Sequence, residues 1–315
     1  MTLMFQESLR SLKAASLRQL LSSIGSKQSG TKAQLAERLS RDLAIPKLTI
    51  SGHSAGSIIA PRILSIDMGI KNLAYCLTTA DLPKSGDYDG LDIAKPRLHV
   101  SAWERVGAME NMDQVVLDGL EDNDLYSPAA LAPVALRLVR SIFLPLQPTV
   151  ILIERQRFRS GGAAAVQEWT LRVNTLEAMF WAVLGAMREH SAIVKVPPVY
   201  SVSPSQVAAV WMPGERKVQK RDKINIVKGW LSGNEKCQEL DINLDKNLAA
   251  SANLFFSGRD KTPNRSAGVV NSRVKLDDLA DSLLQAAAWV VWEFNRRRLQ
   301  NLSVEEMGGK LATQL

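Results

Sequence analysis

The spacing of apolar residues changes along the chain, and residues 8–43 form its first distinct segment. Over this segment leucines recur at the three- and four-residue intervals of an amphipathic helix. They fall into two groups, Leu12, Leu17, Leu20 and Leu21, followed by Leu35, Leu39 and Leu43. Glycines lie between the groups, and Thr31 is suited to cap a second helix. The pattern predicts two short helices joined by a turn.

Beyond this segment the pattern becomes that of a mixed α/β domain. Residues 46–61 are rich in Ser, Gly and Pro, which is typical of a linker. Short apolar runs predict strands at 62–69, 72–80, 98–106 and 149–156, with an extended segment at 193–203. Helical patterns cover 128–145, 163–189, 204–211, 219–232 and 276–299. Residues 233–275 are polar and glycine-dotted, which predicts a loop or an insertion.

These patterns divide the chain into four parts. They are a helical module at 1–45, a linker at 46–61, an α/β domain at 62–300 and a C-terminal tail at 301–315. A length of 315 residues and a hydrophobic fraction of 46% allow one sizeable core and a small second unit. Charged residues interrupt the apolar stretches before they reach the roughly 18 residues of a membrane span, so no membrane partner is expected.

Composition excludes some further classes of protein. Two cysteines and three scattered histidines are too few for a disulfide framework or a four-ligand zinc site, and a reducing compartment is expected. The net charge of +7 is compatible with a polyanionic partner, although many basic proteins never bind nucleic acid. The first 21 residues are nearly free of acids, as organelle transit peptides are, although Glu7 is atypical.

Two carboxylates break apolar strand patterns. Asp67 lies in RILSIDMG, and Glu154 ends the equally apolar ILIE. Burying a charge costs several kcal/mol, on the order of 2–7, unless the charge is paired or bound to a cation. Each carboxylate is therefore either part of an ion pair or turn, or a metal ligand.

A third acidic group opens the last predicted helix, LDDLAD. On a helix, Asp281 shares a face with both Asp278 and Asp277. The helix dipole favours acids in the first turn, which accounts for Asp277 and Asp278 but not for Asp281. A divalent cation would remove the repulsion among these groups. Oxygen ligands without a His or Cys cluster favour Mg²⁺ or Mn²⁺, and two such ions roughly 4 Å apart suit phosphodiester hydrolysis.

Two resemblances to known families follow from these motifs. SGTKAQLAERL after a leucine-rich helix resembles the SAP motif, a helix-turn-helix DNA-binding module; the alternative is an ordinary helical hairpin. SIDMGIKNL, ILIERQ and DDLADSLL together resemble the RuvC group of the RNase H-like superfamily, with fungal mitochondrial Holliday junction resolvases as the nearest members.

The second resemblance implies a fold, an activity and a site. The fold is a mixed central sheet whose first three strands are antiparallel, flanked by helices. The activity is paired symmetric cleavage of four-way DNA junctions by a Mg²⁺-dependent endonuclease (Mn²⁺ as substitute) in the mitochondrial matrix. The catalytic and metal-binding carboxylates are Asp67, Glu154, Asp278 and Asp281. The family spacing selects Asp278, whereas helix geometry alone also accepts Asp277.

Basic residues next to these motifs are candidates for DNA contacts. RuvC-type enzymes place a lysine near the active site, which indicates Lys223 or Lys220 for holding the phosphate. Further candidate DNA contacts are Arg155, Arg157, Phe158, Arg159, Lys217, Arg221 and Lys32, with Lys27, Arg18 and Arg38 also in the SAP-like module. A third basic cluster comprises Arg259, Lys261, Arg265, Arg273 and Lys275. For many of these residues a solvated surface position is the alternative.

Two symmetric cuts indicate a two-fold homodimer. Its expected interface is the long helix with Trp169, Met179, Phe180 and Trp181, for which core packing is the alternative. Two other functions remain open: a catalytically silent RNase H-like DNA-binding protein, and an RNase H-like nuclease with another substrate, such as RNA in hybrids.

Overall fold

The computed structural model describes most of the chain. The described residues are 3–48, 51–53, 57–83, 94–109, 124–156, 167–190, 196–215, 218–233, 237–256 and 276–309. A six-stranded sheet runs through them. Its strands are β3 (Arg62–Asp67), β4 (Leu73–Asp81), β5 (Arg97–Val106), β6 (Val150–Glu154), β7 (Val199–Val202) and β8 (Asp241–Leu244), after an antiparallel pair β1 (Ser51–His53) and β2 (Ser57–Ile59).

The sheet has the order β7-β6-β3-β4-β5-β8. β3, β4 and β5 are antiparallel neighbours, whereas β6 is parallel to β3, β7 is parallel to β6, and β8 is parallel to β5. The predicted RNase H-like mixed sheet, with its first three strands antiparallel, is confirmed. β3 is buried on both faces, which explains its uninterrupted apolar run.

Helices cover both faces of the sheet and also form a separate N-terminal module. The α-helices of the described residues are α1 (Leu3–Leu9), α2 (Ala14–Ser23), α3 (Lys32–Ala44), α4 (Pro128–Arg137), α5 (Glu168–His190), α6 (Pro204–Trp211), α7 (Lys220–Ser232), α8 (Ala249–Leu254), α9 (Leu276–Gln300) and α10 (Val304–Gly308). After α4 the chain continues as a π-helix (Leu138–Phe143) and a short 3₁₀ turn (Leu144–Leu146). α9 packs on one face of the sheet, and α4 and α5 pack on the other.

Four segments differ from the prediction. The N-terminal module has three helices, because the short α1 precedes the two expected ones. Residues 46–61 contain the β1–β2 pair, and the tail contains α10, whose Met307 is buried among the leucines of the module. Residues 233–275 contain β8 and α8. β8 is only four residues long and alternates between exposed and half-buried positions, so its sequence gives only a short strand signal within a polar segment.

The expectation that no apolar stretch reaches the length of a membrane span was wrong for Pro128–Leu146. This run of 19 residues is long and apolar enough by length and composition. It is the α4 helix with its π and 3₁₀ continuation, and Leu131, Val134 and Leu138 are buried against the sheet. The hydropathy of the run therefore matches that of a core helix.

The turn between α2 and α3 is tightly held. Thr31 forms a capping box with Gln34, as its position before the helix predicted. Arg38, considered as a phosphate contact, instead donates to the carbonyl oxygens of Lys27 and Ser29, both at 2.8 Å. Gly25 has φ +65°, and a Cβ there would lie 2.3 Å from the ring of Trp292 on α9.

We expect Gly25→Ala to destabilise the protein by about 2–4 kcal/mol, because it combines a left-handed backbone with a clash against Trp292. Gly233→Ala is the matched control, since Gly233 has φ +69° but nothing within 4 Å of an added Cβ. Gly233→Ala should lower the free energy of unfolding by only about 1 kcal/mol, which is the cost of the left-handed backbone conformation alone. Urea unfolding of both variants measures the difference, and equal losses would contradict the close packing of this turn on α9.

Candidate active site

Three acidic residues from three elements converge at one edge of the sheet. Asp67 and Glu154 are the last residues of β3 and β6, and Ile66 pairs with Ile153 in the parallel register between these strands. Parallel neighbours end at the same edge, so the two carboxylates lie side by side. α9 crosses that edge and adds Asp281.

These carboxylates line a small pocket. Asp67, Glu154, Lys223, Asp281 and Gln285 supply its polar groups. Its apolar wall consists of Pro204, Val207, Ala208, Met212 and Leu284. The pocket offers about 20 Å³ to a water-sized molecule, enough for water or ions.

Burial and mutual repulsion disfavour the charged forms of these acids. The pKa of Asp67 is raised well above its usual range, first by burial, then by the charge and hydrogen bond of Glu154, and further by Asp281 and Asp278. The pKa of Asp281 is raised to about 6, mainly by burial, although the Lys223 ammonium at 2.7 Å acts in the opposite direction. Without a cation the cluster is therefore electrostatically unfavourable at neutral pH.

The two neighbouring aspartates at the start of α9 both couple to the acidic cluster. The carboxylate of Asp277 accepts a hydrogen bond from Lys220, whose side chain is otherwise exposed, and its charge contributes to the raised pKa of Asp281. The charge of Asp278 contributes to the raised pKa of Asp67. The assignment of Asp278 as the fourth ligand therefore stays a prediction that rests on the family spacing.

The basic candidates fall into three groups. Lys223 lines the pocket, whereas Lys220 lies one turn before it on α7 and pairs with Asp277. Arg155 and Arg221 are exposed, and Lys32 is exposed on the N-terminal module. The others lie outside the described residues: Arg157, Phe158, Arg159 and Lys217, together with Arg259, Lys261, Arg265, Arg273 and Lys275.

Sequence reasoning missed two polar residues that support the site. Gln285, only 3% exposed, donates to the Ser65 hydroxyl at 3.0 Å and to the Ile66 carbonyl at 3.3 Å, which joins α9 to β3 beside Asp67. Glu177 on α5 accepts from the Gln156 backbone amide at 3.0 Å, just beyond Glu154. Gln285 interrupts the apolar run of α9 as Asp67 interrupts that of β3, so the same signal could have identified it.

The donor set suits a hard divalent cation, because carboxylate oxygens converge on a pocket whose lining includes no thiolate or imidazole. Among the described residues, no three acidic, His or Cys side chains already stand at the spacing of ligands to one ion. The mutual repulsion of these carboxylates is the observation that supports a cation site, because a bound cation would offset it.

The raised pKa of Asp281 predicts how the stability of the metal-free protein depends on pH. The folded state holds this proton more tightly than the unfolded chain, so the free energy of unfolding falls as pH rises from about 4 to about 6 and stays low above that. Asp281→Asn removes this loss. In chelator-treated samples, we expect the free energy of unfolding of the variant to rise by about 1–3 kcal/mol relative to that of the wild type as pH increases from 4 to 7. A stability difference that is independent of pH would contradict the burial of this acid.

The fold and the site define an RNase H-like α/β protein with an acidic pocket at the sheet edge. The chain belongs to the family described as mitochondrial resolvase Ydc2 / RNA splicing MRS1, whose model matches residues 63–299.

Three comparisons place the chain within this family. The mitochondrial cruciform cutting endonuclease 1 of Schizosaccharomyces pombe is 28% identical over 248 residues, covering 76% of this chain and 81% of that relative. Its Saccharomyces cerevisiae namesake is 24% identical over 281 residues, covering 76% and 71%. The crystal structure of the yeast mitochondrial Holliday junction resolvase Ydc2 superposes with a TM-score of 0.58 at 27% identity, covering 92% of this chain and 97% of that one.

Proposed function

We propose that the chain is a structure-selective endonuclease that resolves four-way DNA junctions by paired, symmetric phosphodiester hydrolysis. Family membership alone does not decide this, because the family description includes both a resolvase and an RNA-splicing protein. The observation that carries the proposal is the convergence of Asp67, Glu154 and Asp281 in one pocket, with Asp278 coupled to it. A protein that only binds nucleic acid gains nothing from buried carboxylates that repel each other and the phosphate backbone.

Each residue of the pocket has a role that follows from its position. Asp67, Glu154, Asp278 and Asp281 would hold two Mg²⁺ ions, with Mn²⁺ as a substitute. Such ions lower the pKa of bound water and stabilise the charge that develops on the scissile phosphate. Lys223, at the wall of the pocket, pairs with Asp281 in this structure. It would donate to a phosphate oxygen when Asp281 binds a metal ion instead. The apolar wall of α6 excludes bulk water, which strengthens these electrostatic interactions.

DNA outside the pocket would be held by the exposed basic residues. Arg155 follows Glu154 directly, and Arg221 lies between Lys220 and Lys223 on α7; both are exposed. Arg157, Arg159 and Lys217 extend these two runs in sequence, and Phe158 would stack on an unpaired base at the centre of the junction. Contacts of this kind position the backbone without reading its sequence.

The proposal includes a homodimer, because two symmetric cuts require two active sites. α5 offers a suitable surface. From Ala178 to Ala186 its exposed residues are small and uncharged, namely Ala178, Ala182, Gly185 and Ala186, whereas Arg188, Glu189 and His190 are exposed at its end. The earlier expectation for this helix was wrong in one respect: Phe180 is fully buried in the core against Phe143. Trp169 is 42% exposed and packs on Tyr126 at the beginning of the helix.

The proposed location is the mitochondrial matrix. Both relatives carry a mitochondrial name. In this compartment the substrate would be a junction formed during recombination of organellar DNA.

Cleavage of a synthetic mobile four-way junction in Mg²⁺ tests the proposed function. We expect paired nicks at symmetric positions of two opposing strands, and no cutting of a linear duplex of the same sequence. An RNA–DNA hybrid and a structured RNA serve as competing substrates. Cleavage of the hybrid alone would support a nuclease of another specificity, and tight binding without any cleavage would support a silent binding protein.

A further inference from the structure

The N-terminal module, residues 3–48, is attached to the catalytic helix α9 through the ends of its own helices. Asn295 donates to the carbonyl of Ser23 at 2.9 Å, and Arg296 donates to that of Ile24 at 3.0 Å, at the end of α2. At the end of α3, Arg296 also donates to the carbonyl of Asp42 at 3.0 Å. The last carbonyls of a helix lack partners within that helix, so α9 caps both helices of the module.

A buried ion pair reinforces this attachment. The side chains of Arg296 and Glu293 are 1% and 0% exposed and are paired with each other. Glu293 also accepts from the Lys47 backbone amide at 3.1 Å and from Arg297 at 3.2 Å. The pair lies within α9, but detaching the module would remove the Lys47 amide and the Ile24 and Asp42 carbonyls to which these buried charges are hydrogen-bonded, which disfavours a detached state. The module is therefore a fixed part of the nuclease domain rather than a unit on a flexible tether.

The same attachment brings the turn of the module, residues 25–32, close to the carboxylate pocket. Gln206 on α6 donates to the carbonyl of Gly25 at 3.0 Å. Its neighbours on that helix, Pro204, Val207 and Ala208, line the pocket. One short helix thus separates the turn from the active site, a distance of about 10 Å, the diameter of a helix.

The turn has the charge of a DNA contact. Residues 3–48 contain eight basic and three acidic side chains, so the module carries a net charge of +5 out of +7 for the whole chain. Lys27 and Lys32 are exposed on the turn, and Arg38 holds its backbone in shape through two carbonyl oxygens. A basic turn of fixed shape next to the acidic pocket suits a DNA backbone that passes from the turn to the pocket.

We propose that the turn 25–32 and the carboxylate pocket form one rigid DNA-binding surface, which holds the cleaved arm of the junction at a fixed position. This proposal rests on the proposed function, since the polyanion is the junction arm that carries the scissile phosphate. The rigid attachment makes the module a positioning device: it determines which phosphate of the arm reaches the pocket.

A tethered cleavage reagent tests the fixed position without using the nuclease activity. Cys76 and Cys237 are both buried, so Gln28→Cys supplies one exposed thiol for an iron chelate that releases hydroxyl radicals. The experiment uses the full chain carrying Asp67→Asn, without Mg²⁺, on a junction held in one isomer. We expect radical cuts confined to one pair of opposing arms, within about one turn of duplex, roughly ten base pairs, from the junction centre.

Two controls separate the outcomes. Ser11→Cys places the chelate at the opposite end of α2 and should give at most weak cuts. Lys27→Ala with Lys32→Ala should reduce the slope of log affinity against log salt by about 2. Cuts spread along all four arms, or an unchanged salt slope, would overturn the rigid surface although the junction is bound. Failure to bind the junction at all, measured first on the unlabelled protein, would instead overturn the proposed function.

Discussion

Asp67→Asn is expected to abolish junction cleavage in Mg²⁺ while junction binding is retained. Asp67 is the most buried of the four carboxylates and lies between Glu154 on β6 and Asp281 on α9. Asparagine keeps the size of the side chain but loses the charge that would attract a divalent ion. A loss of several kcal/mol of charge stabilisation, about 4, lowers the cleavage rate by roughly a thousandfold.

Single-turnover cleavage and a binding titration on the same junction measure the two properties separately. Asp81→Asn is the matched control, because Asp81 is an exposed acid at the end of β4 that pairs with Arg97. It should leave the cleavage rate within about twofold, since surface ion pairs contribute roughly 0–1 kcal/mol. Residual cleavage of Asp67→Asn at more than a tenth of the wild-type rate would argue against a role for Asp67 in catalysis.

Glu293→Ala is expected to give the largest loss of stability, about 3–5 kcal/mol. The substitution leaves the buried guanidinium of Arg296 without its carboxylate and removes the acceptor of the Lys47 amide. Because Arg296 caps α2 and α3, the module should loosen together with α9. Hydrogen exchange should therefore show faster exchange of the amides in α2 and α3 than in the wild type.

Glu305→Ala provides a comparison on the neighbouring exposed helix α10 and should cost less than about 0.5 kcal/mol. The double change Glu293→Leu with Arg296→Leu tests the interpretation further. Removing both charges avoids the uncompensated guanidinium, so the double variant should be more stable than Glu293→Ala alone. A double variant as unstable as the sum of both single losses would show that packing, and not charge, dominates this site.

The sequence alone predicted those features that have a strong local signal. The apolar runs of β3 and β6 and the long pattern of α9 indicated their structures. The acids that interrupt these patterns indicated Asp67, Glu154 and Asp281. Gln285 carries the same signal, an isolated polar residue in an apolar run, but an amide fits many roles and its partner Ser65 lies 220 residues away.

Other features depend on contacts that a local pattern does not encode. β8 is an edge strand of four residues, too short for its alternation of polar and apolar residues to stand out, and it pairs with the parallel edge that β5 offers. The attachment of the module to α9 is mediated by side chains such as Asn295 and Arg296. In the sequence, polar residues at this end of a helix are expected to be exposed to solvent. Their burial follows only from the packing of distant segments, so residues 46–61 appeared to be a free linker.

The capping of the first helices by the last long helix also constrains the order in which the chain folds. Asn295 and Ser23 are 272 positions apart, and Arg296 and Ile24 are separated by the same number. During synthesis the module emerges first, but its final partner emerges after almost the whole chain. The leucines of α2 and α3 can cover one another early, because most of their cluster belongs to the module itself, but the carbonyls at the ends of these helices gain their α9 partners only after residues 276–300 have left the ribosome. Contacts of such high sequence separation form slowly, so we expect the module to reach its full stability only when the synthesis of α9 is complete.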